Sequence, residues 1–432
     1  MATRREFLKD TALLGAALTA PLAAAPAHRV RTPLAPPEGT PAQVASDEAF
    51  WARVAEQYRV TDAVTNFEAG YFGLMATPVL EAYHRHVDRA NRDNSYFARR
   101  EYPALAQQVR ARVAAFIGAP PATITFSRNA TEALQALIGQ YNRLRPGDTI
   151  VYADLDYPAM QQSMQALAAR TGARLVTFDI PEPASRQGVL DTYARMLDAN
   201  PTTRLLLLTH CNNKTGLVLP VKDIAALARP RGIDIVCDAA HSFGQVPLTI
   251  ADLDADFVGL NLHKWIGAPV GAGVMYIRPE KLAMIDRAHG DTGSLESVES
   301  RLHTGTMNFA TILTVADALD FQATIGIERK AARLRYLRDR WVAGVRGVPA
   351  INVLTPDAPG MVGAITGVRL QGRGTREANQ AVVRTLHDDY RLFTQWRTGL
   401  AKGDCVRITP ALYNSAADAD RLAGALRTIA SA

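Results

Sequence analysis

The chain has 432 residues, of which 48% are hydrophobic and 21% charged, and its formal net charge at pH 7 is +6. This is the composition of an ordinary globular protein, and the length is sufficient for two domains. No run of like charges and no basic stripe interleaved with aromatic residues occurs. The positive charge therefore indicates a solvated surface, and no nucleic-acid partner is predicted.

The first 27 residues have the features of an export signal. Paired arginines, Arg4 and Arg5, precede a short apolar stretch at Thr11–Ala20, and small residues at Ala25–Ala27 offer a cleavage site. This order predicts twin-arginine export, which carries folded and often cofactor-loaded proteins. The apolar stretch is too short and too weakly apolar to span a bilayer. We therefore expect a periplasmic mature protein that begins near His28, without stable membrane insertion.

Residues 28–45 are rich in Pro, Ala and Thr, which predicts a linker left after signal processing. From about residue 105 onward, short apolar segments alternate with amphipathic ones. Strands are predicted at 123–127, 149–152, 173–178, 203–209, 233–237, 256–260 and 272–277. Helices are predicted at 105–117, 131–143, 158–171, 189–199 and 221–229. The alternation predicts a largely parallel sheet covered on both faces, which binds ligands beyond the carboxyl ends of its strands.

The pattern changes beyond these segments. A longer helix is predicted at 327–345, and shorter strands follow at 365–370 and 406–409. We interpret this part as a smaller α+β domain. The predicted organisation is therefore an N-terminal segment and large domain at 46–325, followed by a small C-terminal domain at 326–432.

Three cysteines, Cys211, Cys237 and Cys405, are an odd number for an oxidising compartment. Each lies in or beside an apolar, strand-like run, so we predict small buried packing residues and not a disulfide framework. No His and Cys residues occur at zinc spacing, and no metal site is predicted.

Two polar residues that follow predicted strands, Asp238 and Lys264, indicate a pyridoxal phosphate site. Asp238 ends the strand at 233–237, and Lys264 follows the strand at 256–260. A lysine amine can form a Schiff base with the aldehyde of this cofactor, and an aspartate can keep the pyridinium nitrogen protonated, which makes the ring an electron sink. Taken alone, Lys264 would be interpreted as a surface lysine.

Three further segments also follow predicted strands, and each has a purely structural alternative. Thr131 begins a helix where N–H and hydroxyl donors favour a phosphate cradle, although a threonine there is often only an N-cap. Tyr157 could stack on a flat cofactor or pack under its own helix. Asn213 lies in a polar run that could donate hydrogen bonds to a phenolate oxygen or form a capped loop.

In this order the segments resemble the class V aminotransferases, fold type I pyridoxal phosphate enzymes that include cysteine desulfurases and isopenicillin N epimerase. The resemblance extends over residues 60–430. It implies an α/β fold whose large domain has a mostly parallel seven-stranded sheet covered by helices, joined to a smaller α+β domain. It also implies an amino acid or a derivative as substrate.

By this resemblance, Lys264 is the lysine that holds the cofactor and Asp238 contacts the ring nitrogen. Arg407 would bind the substrate α-carboxylate, for which the bidentate geometry of arginine is suited. Thr306 lies in a segment that would reach the phosphate of the neighbouring subunit, which implies a homodimer with shared active sites. The other cofactor contacts implied are His241 and Asn213 at the phenolic oxygen, Tyr157 on the ring, and Ala130, Thr131, Asn261 and His263 at the phosphate.

The chain departs from the cysteine desulfurases in one segment. The stretch at 390–399, where those enzymes carry a nucleophilic cysteine, contains none, and Cys405 belongs to the predicted arginine strand. Segments 66–76 and 94–101 resemble the epimerase-like branch instead. We therefore rank epimerase or racemase chemistry at Cα first, an aminotransferase second and a carbon–sulfur lyase third. A binding protein that holds the cofactor without catalysis is the non-enzyme alternative.

Overall fold

A computed structural model describes residues 34–431. The predicted export signal and the linker before residue 34 lie outside the described residues. The strands are β1 (Thr65–Asn66), β2 (Ile124–Ser127), β3 (Thr149–Ala153), β4 (Arg174–Phe178), β5 (Thr203–Thr209), β6 (Asp234–Asp238), β7 (Phe257–Asn261), β8 (Gly273–Ile277), β9 (Ile351–Val353), β10 (Thr366–Leu370), β11 (Leu392–Phe393), β12 (Gln395–Arg397) and β13 (Cys405–Ile408). The α-helices are α1 (Pro41–Ala45), α2 (Glu48–Ala55), α3 (Thr77–Arg100), α4 (Tyr102–Ile117), α5 (Ala130–Gly139), α6 (Pro158–Thr171), α7 (Arg186–Ala199), α8 (Val221–Ala228), α9 (Ile250–Leu253), α10 (Phe309–Ile325), α11 (Ile327–Val345), α12 (Arg376–Asp388) and α13 (Ala416–Ser431).

The larger sheet has seven strands in the order β2-β8-β7-β6-β5-β3-β4. Strand β8 is antiparallel to both of its neighbours, and the other pairings are parallel. Its central strands are buried, and each leucine in Leu205–Leu208 of β5 is 0% exposed. A strand covered by helices on both faces needs apolar side chains at almost every position. The predicted α/β fold with a mostly parallel seven-stranded sheet is confirmed.

The predicted strands of this sheet agree with the observed ones to within one residue at each end, but one helix was predicted too long. Helix α5 ends at Gly139, not at residue 143. The chain leaves the helix because Tyr141 is buried, and its hydroxyl donates a hydrogen bond to Asp234 Oδ2 over 2.6 Å. Tertiary packing thus overrides a helical periodicity that continues in the sequence.

The second sheet is antiparallel, with the order β12-β13-β10-β9. The start of the described chain packs on the C-terminal part that carries this sheet. Strand β1 pairs with β11, and the Arg333 guanidinium of α11 donates to the carbonyl of Ala45 at the end of α1. Residues 41–45 were predicted as linker, but they form a capped helix in which Val44 and Ala45 are buried. Their Pro-rich composition concealed a helix that starts at a proline, where the missing N–H has no structural cost.

Among the described residues no single helix is both long and apolar enough to cross a bilayer. Only α10 and α11 taken together pass that test, and their axes are bent by 73° at Gly326.

Candidate active site

A cavity of 610 Å³ opens at the carboxyl edge of the large sheet, beyond the ends of β5, β6 and β7. Parallel strands bring their last residues to one edge, which is why distant sequence segments meet here. Of the residues predicted for the site, those that line the cavity are Ala130, Thr131, Tyr157, Asn213, Asp238, His241, Asn261, His263, Lys264 and Arg407. Thr306 does not line it and is exposed between β8 and α10.

The amine of Lys264 lies 3.0 Å from Nε2 of His241. On the other side of that ring, the indole N–H of Trp265 donates to Nδ1 over 3.3 Å. When Nδ1 of a neutral imidazole accepts a hydrogen bond, the ring proton is on Nε2. His241 therefore donates from Nε2 to the amine of Lys264. Only a neutral amine has the lone pair needed to accept this hydrogen bond. This assignment follows from the hydrogen-bond network.

The electrostatics of the pair agree with that assignment. Burial lowers the pKa of Lys264 to about 8, while the carboxylate of Asp238 opposes the shift. Burial and the positive charge of Lys264 hold the pKa of His241 well below its ordinary value. Near neutral pH, the site therefore holds a neutral imidazole beside an amine that loses its proton easily.

The lysine loop (residues 264–267) is held in place by a close backbone contact and by hydrogen bonds from a neighbouring helix pair. A side chain at Gly73 would place its Cβ 1.8 Å from the carbonyl oxygen of Lys264, so only glycine fits there. From the helical side, Lys330 donates to the carbonyl of Trp265, and Gln322 Nε2 donates to the carbonyl of Ile266 over 2.9 Å. Burial lowers the pKa of Lys330 to about 7. Sequence reasoning missed Lys330, because its helix is rich in basic residues and nothing distinguishes it from a surface lysine.

Asp238 is the last residue of β6 and is 4% exposed. Its Oδ1 accepts the backbone N–H of Ala240 over 2.9 Å. Burial raises its pKa, although this hydrogen bond and the positive charge of Lys264 oppose the shift. A carboxylate in this position can hold a protonated ring nitrogen, which would in turn favour the ionised form of the carboxylate.

The opposite side of the cavity is the N-terminal end of α5. Asn129 caps the helix by accepting from the Glu132 N–H over 2.8 Å, and Asn261 Oδ1 accepts from the Ala130 N–H over 2.8 Å. Thr131 lies between these two capped groups, and a first-turn N–H has no acceptor within its own helix. His263 donates its Nδ1–H to the carbonyl of Ala272 over 2.8 Å, so its Nε2 donates to a ligand only when the ring is protonated. The N–H donors at the start of a helix suit a phosphate.

Two side chains on the cavity wall also fit a flat, polar cofactor. Asn213 Oδ1 is buried and has no hydrogen-bond partner among residues 34–431, so its amide is available to a ligand. Tyr157 is 37% exposed and lines the cavity, and it is not packed under α6. Together with Lys264, Asp238 and the helix start, these groups match the amine, ring, phenol and phosphate requirements of pyridoxal phosphate.

Two arginines of the cavity wall, Arg397 and Arg407, form an arginine cluster with Glu68. Arg407 is 2% exposed in β13, and Glu68 accepts from both its Nε, over 3.2 Å, and its Nη2. Arg397 Nη2 donates to the same carboxylate over 2.7 Å. Burial lowers the pKa of Arg407 to about 10, so the group stays charged at neutral pH. Arg407 was predicted, whereas Glu68 and Arg397 were given no role.

All three cysteines are free and buried, as predicted, and none lines the cavity. Burial raises the pKa of the Cys405 thiol to about 12, so a nucleophilic thiolate is disfavoured there. Within residues 34–431 no group of three or more metal-binding side chains is close enough to hold an ion.

The chain is similar to several known proteins. The isopenicillin N epimerase of Amycolatopsis lactamdurans is 30% identical over 402 residues, which cover 88% of this chain and 98% of that protein. A probable cysteine desulfurase of Vibrio cholerae serotype O1 is 29% identical over 334 residues, covering 73% of this chain and 80% of that protein. The solved structure of a C-DES mutant with glycine covalently linked to its PLP cofactor has a TM-score of 0.74 at 22% identity, covering 86% of this chain and 98% of that one.

The structural likeness supports the fold, and the sequence comparison supports the family. The family model described as Aminotransferase class-V matches residues 76–422, which is most of the chain. On this match, and on the 30% identity across nearly the whole epimerase, the chain belongs to the class-V aminotransferase family.

Proposed function

We propose that this protein is a pyridoxal phosphate enzyme that inverts the configuration at Cα of an amino acid or a derivative, as an epimerase or racemase. The cofactor is pyridoxal 5'-phosphate. The observation that carries the proposal is the single cavity in which Lys264, Asp238 and Arg407 meet. The similarity to isopenicillin N epimerase over 88% of the chain supports the type of reaction.

When bound, the cofactor supplies an electron sink that stabilises negative charge at Cα. Lys264 would bind it, and Asp238 would keep its ring nitrogen protonated. The amine of Lys264, whose pKa burial lowers to about 8 and whose neutral form accepts from His241, is then the base that moves the Cα proton. Arg407 fixes the substrate carboxylate and thereby orients the Cα–H bond toward the lysine.

Inversion at Cα needs a proton donor on each face of the substrate, and Lys264 supplies only one. Two phenols, Tyr71 and Tyr157, line the same cavity. Tyr71 is 75% exposed at the mouth, whereas Tyr157 lies at the start of α6 and is 37% exposed. We infer that Tyr157 is the donor for the second face, because the more enclosed phenol is the better protected from exchange with solvent.

Two alternatives share the same first proton transfer. An aminotransferase would deliver the proton to the cofactor, and a carbon–sulfur lyase would expel a β-substituent from the substrate. The similarity to a cysteine desulfurase favours the lyase as second candidate. Persulfide chemistry on a protein thiol is disfavoured, since none of the three cysteines lines the cavity. A non-catalytic binding protein would not require a lysine amine with its pKa lowered to about 8.

The test is incubation of the cofactor-loaded protein with single enantiomers of amino acids in D₂O, followed by proton NMR and chiral chromatography. Epimerase chemistry predicts deuterium at Cα together with the opposite enantiomer. Formation of a keto acid without inversion would instead establish transamination, and release of sulfide would establish a lyase. Lys264→Ala should abolish exchange, and Tyr157→Phe should block inversion while exchange on the starting enantiomer persists.

Two further proposals concern assembly and location. We infer a homodimer, supported by the exposure of Thr306 outside the cavity of its own chain, where it is free to contact a neighbour's site. We also infer export to the periplasm by the twin-arginine pathway, supported by the N-terminal sequence alone. Sedimentation analysis and cell fractionation test these two proposals.

A further inference from the structure

The carboxylate of Glu68 lies between two arginines of the cavity wall. Its Oε1 accepts from Nη2 of Arg397 over 2.7 Å and also from Nη2 of Arg407, while its Oε2 accepts from Nε of Arg407 over 3.2 Å. The side chain of Glu68 is only 7% exposed, and those of Arg397 and Arg407 are 20% and 2% exposed. The three charges therefore interact in a partly desolvated environment, where each counts for more than it would at the surface.

Glu68 does not use up the hydrogen-bonding capacity of the cluster. A guanidinium has five N–H donors. In Arg407, two of them bind Glu68 and one Nη1–H binds the carbonyl of Asn213 over 2.8 Å, so two are left. In Arg397, the Nε–H is buried and has no partner among the described residues. Donors are thus left for one further acceptor beside Glu68.

The chain that carries Glu68 is fitted closely to Arg407. A Cβ at Gly70 would lie 3.0 Å from Cζ of Arg407, so the backbone at Gly70 rests on the guanidinium itself. Glu68 is also paired with Thr409 in a parallel bridge, and its N–H donates to Asn66 Oδ1 over 2.7 Å. Glu68 is consequently a fixed part of the site and not a mobile occupant that a substrate displaces.

We propose that Glu68 determines specificity by setting the charge of the arginine cluster. Two guanidinium groups and one carboxylate leave a net charge of +1, which matches one carboxylate and no more. The substrate is therefore a compound with a single carboxylate at this end of the cavity, and a second acidic group close to it gains no further attraction from the cluster. This inference rests on the proposed function, because it takes the cluster to be the site of the substrate carboxylate.

The test uses a pair of amine-free ligands that differ only in charge: succinate and its monoamide, succinamate. Binding to the cofactor-loaded protein is measured by isothermal titration calorimetry at one pH and one ionic strength. The wild-type protein should bind the two ligands with nearly equal affinity. If it binds succinate more than about tenfold tighter than succinamate, a difference of about 1.4 kcal/mol, the proposal is overturned without any variant.

The variant Glu68→Gln keeps the shape of the side chain but raises the net charge of the cluster to +2. It should shift the preference toward succinate by about tenfold relative to wild type. The matched control is Glu182→Gln, because Glu182 forms a similar ion pair, 2.6 Å long, with Arg369, which does not line this cavity, whereas both arginine partners of Glu68 do. An unchanged preference in a folded Glu68→Gln protein, or an equal shift in the control, would refute the role of Glu68.

Failure of the proposed function has a different signature. If wild type binds neither ligand, or if Arg407→Gln binds both as well as wild type does, the cluster is not a carboxylate site. Both the proposed role of Arg407 and the specificity role of Glu68 are then wrong. If binding depends on Arg407 but the preference does not depend on Glu68, only the present inference fails.

Discussion

The pKa of Lys264 predicts how fast the cofactor-free protein takes up pyridoxal phosphate. With an ordinary lysine pKa of 10.5, about 0.03% of the amine is neutral at pH 7, whereas a pKa of about 8 leaves about 9% neutral. Because only the neutral amine is nucleophilic, uptake at pH 7 should be roughly 300-fold faster than for an unperturbed lysine. Because the pKa of Lys264 is lowered to about 8, the rate of uptake should rise with pH below about 8 and level off above it.

The assay is stopped-flow measurement of the visible absorption band after mixing cofactor-free protein with pyridoxal phosphate between pH 6 and 10. Nα-acetyl-lysine is the reference amine. Its reaction with pyridoxal phosphate includes the same titration of the cofactor, but its amine is not surrounded by protein. A midpoint near that of the reference amine, instead of near 8, would refute the argument that burial deprotonates Lys264.

The hydrogen-bond relay offers a second and more specific check on this prediction. Trp265→Phe removes the donor to Nδ1 of His241, which frees the imidazole proton to move to Nδ1. Nε2 then accepts from a protonated Lys264, so the pKa of the lysine should rise. One neutral hydrogen bond is worth about 1 kcal/mol net, which corresponds to about 0.7 of a pKa unit. A midpoint that falls or does not move would contradict the assigned tautomer.

Three other predictions concern stability and export. Burial lowers the pKa of Lys330 to about 7, so the unfolded state binds a proton that the native state lacks between pH 7 and 10.5, and the free energy of unfolding should rise across that window. Urea denaturation should show this rise for wild type and a smaller one for Lys330→Met. Gly73→Ala should destabilise the protein by about 3 kcal/mol or more because its Cβ would collide with backbone, whereas Gly139→Ala, with no atom within 4 Å, should be neutral or stabilising in thermal unfolding. Replacing Arg4 and Arg5 by lysine should retain the protein in the cytoplasm on cell fractionation, and unchanged export would refute the predicted pathway.

The sequence was sufficient for the cofactor side of the site because local rules apply there. Asp238 ends β6 and Lys264 follows β7, and the carboxyl ends of these two parallel strands meet at one edge of the sheet. The arginine cluster could not be predicted in the same way. Glu68 and Arg407 are 339 residues apart, and Glu68 is placed beside the end of β13 by its bridge to Thr409, next to the pairing of β1 with β11. No local periodicity encodes a pairing between two strands of two residues each.

This division also separates two determinants of activity. The sheet edge fixes the groups that hold the cofactor, and those groups serve epimerisation, transamination and elimination equally well. The arginine cluster is made by other parts of the chain: Glu68 from the N-terminal segment, Arg397 from β12 and Arg407 from β13. Under the proposed function these residues orient the substrate carboxylate and thereby set which bond at Cα faces Lys264. We therefore expect the choice among the three reactions to change with substitutions in the arginine cluster, while uptake of the cofactor stays unchanged.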